Sequence, residues 1–248
     1  MSTPLLIARD LEVAFGGVKA ADGVNLTINE GEFVAIIGPN GSGKTTFLNL
    51  CTGYVRPVAG EVLLKDMPIT SLPPRRIARQ GIARAFQIPQ LFTDQTVLEN
   101  VMLAIAAQRG IWQALNPLDR PDYRREGMEL LELLKLADHA DTLAGALPEG
   151  LRKLADVTVA MALKPRLLLL DEPTSGVSAL ERFPLMETLM TAMRSRGMTA
   201  LFVEHDMEIV EKYADRVVVW DSGQVLAEGR ADVVMKDPRV LERVVGVA

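Results

Sequence analysis

The chain predicts an α/β protein: a parallel sheet covered by helices, an antiparallel β region near the N-terminus, and an inserted helical subdomain. Three observations carry this. A buried strand, a glycine-rich loop and a helix start follow one another directly at residues 32–51. Short, fully apolar segments alternate with helical patterns after about Leu151, as strands buried on both faces of a parallel sheet do. Between them, Thr96 to Ala146 shows helical spacing and no strand pattern.

Leu5 to Phe15 and Val24 to Ile28 alternate apolar and polar residues, as half-buried strands do. Gly16-Gly17 and Glu30-Gly31 mark the turns. Glu32 to Ile37 reads as a buried strand, and Thr45 to Cys51 as the beginning of a helix. Pro73-Pro74 opens a helix through Arg79, with Gly81 as its stop. In the middle, Val97, Leu98, Val101, Met102 and Ile105 share a helical face, as do Met128, Leu131, Leu134 and Leu136. Trp112 to Pro121, between them, reads as a looser stretch.

The last third predicts a helix from about Leu151 to Leu163, stopped by Pro165, and a strand Leu167–Leu170. A helix near Glu181–Ser195, a strand Ala200–Val203, a helix Met207–Tyr213 and a strand Val217–Trp220 follow. The Asp221-Ser222-Gly223-Gln224 turn is expected to lead into a short C-terminal extension.

At 248 residues, 48% hydrophobic and 24% charged, the chain is long enough for one sizeable core. Its net charge of −5, with only short basic pairs at Arg75-Arg76 and Arg124-Arg125, gives no footprint for nucleic acid. No apolar run approaches a membrane span, and Met1-Ser2-Thr3-Pro4 lacks the regions of a secretory signal. The single cysteine, Cys51, excludes an internal disulfide framework and reads as a small buried hydrophobe.

Gly38-Pro39-Asn40-Gly41-Ser42-Gly43-Lys44-Thr45-Thr46 fits G-x-x-x-x-G-K-[ST]. Glycines let the backbone curl so that N–H groups converge on one anion, and the helix that follows adds its positive end. Lys44 brings a full charge to the β- and γ-phosphates, and the Thr45 hydroxyl can ligate Mg²⁺. A glycine-rich turn with a surface lysine is the bland alternative. The flanking strand and helix argue against it.

Leu167 to Leu170 end in Asp171-Glu172. An acid closing a buried parallel strand lies at the sheet's carboxyl edge, where ligands bind. Asp171 is placed to hold Mg²⁺ through water, and Glu172 to act as general base on the water that attacks the γ-phosphate.

With these motifs in order, the chain resembles the nucleotide-binding subunit of an ABC transporter over nearly all of its length. Asp171-Glu172-Pro173-Thr174-Ser175-Gly176 matches the family's second phosphate-site motif. Gln87, in Arg84-Ala85-Phe86-Gln87, matches the glutamine loop, whose amide senses Mg²⁺ or the attacking water. Ser178-Ala179-Leu180-Glu181 matches the loop that crosses the dimer interface, ending in Glu where the family usually has Asp. His205 matches the switch histidine that contacts the γ-phosphate, and Phe15, with Val18, the aromatic position that stacks on adenine. His139 gains no such support and reads as a surface residue.

The resemblance implies a P-loop NTPase core of ABC ATPase type. The single domain, 1–248, would comprise an α/β core (1–87 and 156–248) and a helical subdomain (88–155). It implies ATP and Mg²⁺ as cofactors, with Thr45, Gln87 and Asp171 toward the metal. It also implies a peripheral place on the cytoplasmic face of the cell membrane. The expected partners are transmembrane permease subunits, a second and non-identical ATPase subunit, and an extracytoplasmic solute-binding protein. No nucleic-acid partner is expected.

One family motif departs. A Leu-Ser-Gly-Gly-Gln signature, which faces the ATP held by the partner's phosphate loop, is replaced here by Leu147-Pro148-Glu149-Gly150-Leu151. Pro148 has neither hydroxyl nor N–H, Leu151 lacks an amide, and Glu149 brings negative charge toward a triphosphate. Losing one donor to a charged oxygen costs about 1.5–3 kcal/mol. An asymmetric dimer is the expectation. Gly81 to Phe92, Thr96 to Val101, the long span from Gln87 to Leu147, and Ala227-Glu228-Gly229 with Asp237-Pro238 resemble the branched-chain amino acid importer group. That group also includes urea and amide importers and a lipopolysaccharide-export ATPase. Two alternatives stay open: a nucleotide-binding regulatory subunit of low turnover, and a non-transport ABC ATPase.

Overall fold

A computed structural model describes residues 3–110 and 120–245. The stretch Trp112 to Pro121, read above as loose, lies outside these residues except for its last two positions.

In chain order the elements are β1 (Pro4–Phe15), β2 (Val18–Asn29), β3 (Phe33–Ile37), α1 (Lys44–Thr52), β4 (Ala59–Leu64), β5 (Met67–Pro68) and α2 (Pro74–Gln80). Next come β6 (Ile82–Ala85), α3 (Val97–Arg109), α4 (Pro121–Leu133), α5 (Glu149–Ala162), β7 (Leu167–Asp171) and α6 (Ala179–Ser195). The chain continues with β8 (Thr199–Val203), α7 (Met207–Tyr213), β9 (Arg216–Asp221), β10 (Gln224–Gly229), α8 (Ala231–Val234) and α9 (Pro238–Val240), then a π-helical turn to Val245.

The chain divides into two compact units, residues 1–80 with 198–248, and residues 81–197. In the first, β2, β1, β4 and β5 form an antiparallel sheet in that order. Phe15 pairs with Val18 across the Gly16-Gly17 turn. β3 lies between β8 and β9, parallel to both. Every side chain of β3 and β8 is buried, so these strands carry no polar alternation and read in sequence as continuous apolar runs. Asp221 to Gln224 is a hairpin turn, not the start of an extension: β10 returns antiparallel along β9. The Ser222-Gly223 pair, both at positive φ (49° and 79°), makes the tight reversal.

In the second unit β6 pairs parallel with β7, Ile82 to Ala85 against Leu167 to Leu170. A capping box opens α3, with Glu99 N–H bonded to the Thr96 hydroxyl and Thr96 N–H to the Glu99 carboxylate. The expected helix around Met128–Leu136 begins earlier, at Pro121. A proline there spends no hydrogen bond, because a first-turn N–H has no intrahelical partner. It also ends earlier, at Leu133, and Lys135 turns through φ 57°. Cys51 is fully buried on α1, as expected, while His139 is half-buried in a short 3₁₀ turn. No helix among the described residues is long and apolar enough to cross a membrane.

Candidate functional site: a phosphate loop and a carboxylate cluster

The phosphate loop belongs to the first unit. β3 delivers the chain at Ile37, and α1 takes it up at Lys44. Gly43 caps the helix at φ 111° with no side chain offering a cap, which leaves the helix's first N–H groups to face the loop. A Cβ at Gly43 would overlap the Ala20 carbonyl, and one at Gly38 the Trp220 carbonyl. Glycine is therefore required at both places by close backbone approach as well as by backbone conformation.

Lys44 is 5% exposed, and its Nζ donates to the carbonyls of Gly38 and Pro39, 2.8 Å each. Its ammonium thus lies against the loop's own backbone, within the cradle. The Ser42 hydroxyl is buried with no hydrogen-bond partner, a costly arrangement in a folded chain unless a ligand completes it. The loop is braced from the β9–β10 turn, where Gly223 N–H donates to the Ser42 carbonyl at 2.8 Å, and the Trp220 ring packs on Phe47. This bracing by the β9–β10 hairpin escaped the sequence reading. The Ser222-Gly223 pair was its only local signal. Asn40, Gly41 and Thr45 are exposed, and Thr46 is half-buried. Phe15 and Val18 are 52% and 67% exposed at the β1–β2 turn, so the aromatic face is open to solvent. His205 is exposed just beyond β8, and its N–H donates to the buried Glu204 carboxylate.

The carboxylates belong to the second unit. Asp171 ends β7 and is 4% exposed. Its partner is Arg84 of β6, at 2.5 Å, with both side chains buried. The Arg84 guanidinium also lies over the Phe86 ring, 4.8 Å from its centre. Glu172 follows at φ 50°, a left-handed conformation that strains a non-glycine residue. It is fixed at both ends. Gln87 Nε2 donates to its carboxylate at 2.7 Å, and the Lys153 ammonium to its carbonyl at 2.9 Å. The structure thus brings Gln87 to Glu172, two residues far apart in sequence.

The loop that carries Gln87 has its own anchor. Asp156 of α5 accepts the Phe86 N–H on one carboxylate oxygen (3.0 Å) and the Gln90 N–H on the other (2.9 Å). Burial pushes its carboxyl up to about 6, against the two N–H bonds and the nearby Lys153 charge, which pull it down. Sequence reasoning missed Asp156, Lys153 and Arg84 altogether. A lysine and an aspartate three apart near the start of an α-helix look like a solvated i,i+3 pair.

The altered signature opens α5. Pro148 is the N-cap, one place earlier than a first-turn proline, and Glu149 is the first helical residue. The Glu149 carboxylate pairs with Arg152 at 2.6 Å. In the loop after Glu172, Ser178 donates to Glu181 at 2.6 Å, and Leu180 is 91% exposed.

A glycine cradle with an orphaned serine hydroxyl, a lysine turned onto it and a helix N-terminus behind it fits a nucleotide triphosphate. A threonine hydroxyl, one carboxylate and an amide oxygen suit Mg²⁺, a hard cation usually held by few protein ligands together with phosphates and water.

The strand, glycine loop and helix of the first unit define a P-loop nucleotide-binding protein. The ABC transporter family profile matches residues 21–175, and the chain belongs to that family. It is 36% identical to the high-affinity branched-chain amino acid transport ATP-binding protein LivG of Escherichia coli K12, over 100% of both chains. It is 35% identical to the corresponding BraF of Pseudomonas aeruginosa, again over 100% of both. Among solved structures, it is 32% identical to an ATP-binding cassette of an ABC transporter in its ADP conformation. That match covers 99% of this chain and 100% of that one, with a TM-score of 0.86. The chain is an ABC ATPase that binds ATP, and ATP-binding subunits of this family work with membrane permease subunits.

Proposed function

We propose that this chain binds and hydrolyses MgATP to drive an ABC importer for branched-chain amino acids or related small polar solutes. The observation that carries the transport reading is the similarity to LivG along the whole of both chains. The single domain would work as an α/β core, 1–87 and 156–248, and a helical subdomain, 88–155. It would lie peripherally on the cytoplasmic face of the membrane, with permease subunits, a second ATPase subunit and an extracytoplasmic solute-binding protein.

In this reading the N–H groups of Gly38 to Thr46 and the Lys44 ammonium hold the phosphates, and Phe15 with Val18 offers the adenine a stacking face. Thr45, Gln87 and Asp171 are the residues that would hold Mg²⁺, which would supply positive charge to offset that of the phosphates. Glu172 takes the proton of the attacking water, Gln87 orients that water, and His205 contacts the γ-phosphate. The Gln87–Glu172 hydrogen bond supports this division of labour, since the amide lies within reach of the base it serves. Assembling the chain with its permease and measuring ATPase activity and leucine uptake tests the proposal. Wild-type turnover that Glu172→Gln abolishes supports it. No turnover in the full complex favours a regulatory subunit.

A second reading concerns the dimer. Glu149 places a carboxylate at the N-terminus of α5, where a partner's γ-phosphate would otherwise lie, and its pairing with Arg152 supports its staying there. We infer an asymmetric pair in which this chain's phosphate loop is completed by a partner's intact signature, while the opposite site binds ATP and turns over slowly. Restoring Pro148→Ser with Glu149→Gly should raise the ATPase rate of the assembled complex. No gain, with the wild type already cycling at both sites, would sink the idea.

A further inference from the structure

Buried charge on α5 has no role in the scheme above. Lys153 and Asp156 are 4% and 6% exposed, a costly place for ionic groups unless each has specific work. Three residues apart, they share one helix face. Both reach out of the helix to backbone: Lys153 Nζ to the Glu172 carbonyl, and Asp156 to the N–H groups of Phe86 and Gln90. Those two amides bracket Gln87, and Glu172 is the residue that Gln87 touches.

We propose that Lys153 and Asp156 are positioning residues for hydrolysis, one rigid helix face that sets the Gln87 amide and the Glu172 carboxylate in register. The proposal rests on the roles given above to Gln87 and Glu172. Two physical points support it. Glu172 holds a left-handed backbone conformation (φ 50°) that the chain would leave if its carbonyl were released, and Lys153 supplies a charged donor to that carbonyl. The 86–90 loop belongs to no helix or strand, and the two bonds to Asp156 hold its backbone on either side of Gln87. A carboxylate suits this clamp better than an amide, because both of its oxygens accept; an asparagine would turn an NH₂ against one of the two N–H groups.

The test has two arms. Amide hydrogen exchange on the full chain reads the clamp without reference to activity. Asp156→Asn should speed exchange at Phe86 or Gln90 by about tenfold or more, and Asp156→Ala at both, while Val157 within α5 keeps its protection. In the assembled complex, Asp156→Asn and Lys153→Met should lower kcat by about ten- to a hundredfold, with the KM for ATP held within about twofold. Lys153→Arg, which keeps a charged donor, should recover most of kcat. Unchanged exchange at residues 86 and 90 overturns the clamp. Faster exchange with unchanged kcat overturns the positioning role, as does a parallel fall of kcat, ATP affinity and Tm. If Glu172→Gln turns over like wild type while exchange still responds, the Glu172 reading falls, and the positioning role with it.

Discussion

The phosphate loop and the carboxylate cluster solve different problems with different materials. Around Gly38 to Thr46 the candidate recognition surface is mostly backbone, with the Lys44 ammonium beside it: N–H groups, a helix end, and glycines at 38 and 43 where neighbouring carbonyls leave no room for a Cβ. Around Asp171 and Glu172 it is side chain. Arg84 meets Asp171, Gln87 meets Glu172, and Lys153 and Asp156 reach from α5 to hold backbone in place. A backbone cradle tolerates little change in residue type but depends on few distant partners. A side-chain cluster depends on residues from β6, the loop after it, α5 and β7 being correct together. Damage in the first should appear as lost nucleotide affinity, and in the second as lost stability or turnover with affinity kept.

The largest effect expected on that contrast is at Arg84. Arg84→Met removes the buried guanidinium that pairs with the Asp171 carboxylate, which should cost about 3–5 kcal/mol of stability, read by urea unfolding of the full chain. A loss below about 1 kcal/mol would mean that solvent or another residue takes over, and that the cluster is looser than its geometry indicates.

Asp156 comes next, through pH. Its carboxyl lies at about 6 in the folded chain against an ordinary 3.8, so the folded state binds the extra proton between these values. The stability this group contributes is therefore fully present below about 4 and is lost as pH rises through 6. The desolvation relieved by protonation outweighs the hydrogen bond given up. Comparing wild type with Asp156→Asn by urea unfolding at pH 4.5 and pH 7.5, wild type should gain on the variant at the lower pH by about 2 kcal/mol. A pH-independent difference would contradict the shift.

How much of this was legible follows the same division. The phosphate loop is contiguous, so Gly38 to Thr46 declared itself in one line of sequence, and so did Asp171-Glu172 at the end of four leucines. The buried strands β3, β7, β8 and β9 and the helices around them were readable because burial on both faces leaves a continuous apolar run. β6 was not, because four residues with a buried arginine among them carry no strand signature. β10 was missed because its residues are only half-buried and its existence depends on pairing with β9. Arg84, Lys153 and Asp156 were invisible for a related reason. Each is an ordinary charged residue whose function lies in a partner that is distant in sequence, and only the fold brings the two together.

The smallest effect tests the open end of the nucleotide site. Phe15 is exposed and contributes little to the core. Phe15→Ala should leave unfolding within about 0.5 kcal/mol of wild type and weaken ATP binding by about 1–3 kcal/mol, the usual worth of one aromatic–base stack. Fluorescent-nucleotide titration would measure it, and unchanged affinity would place the adenine elsewhere.

The central claim is that one chain carries a binding half and a chemical half that can be damaged separately. Measuring ATP dissociation constant and turnover side by side in the assembled complex, for wild type, Lys44→Met and Glu172→Gln, tests it most directly. Lys44→Met should weaken ATP binding by about ten- to a hundredfold. Glu172→Gln should keep wild-type affinity and lose about 10²–10⁴ in turnover. Equal loss of affinity in both variants, or undiminished turnover in Glu172→Gln, would contradict the account.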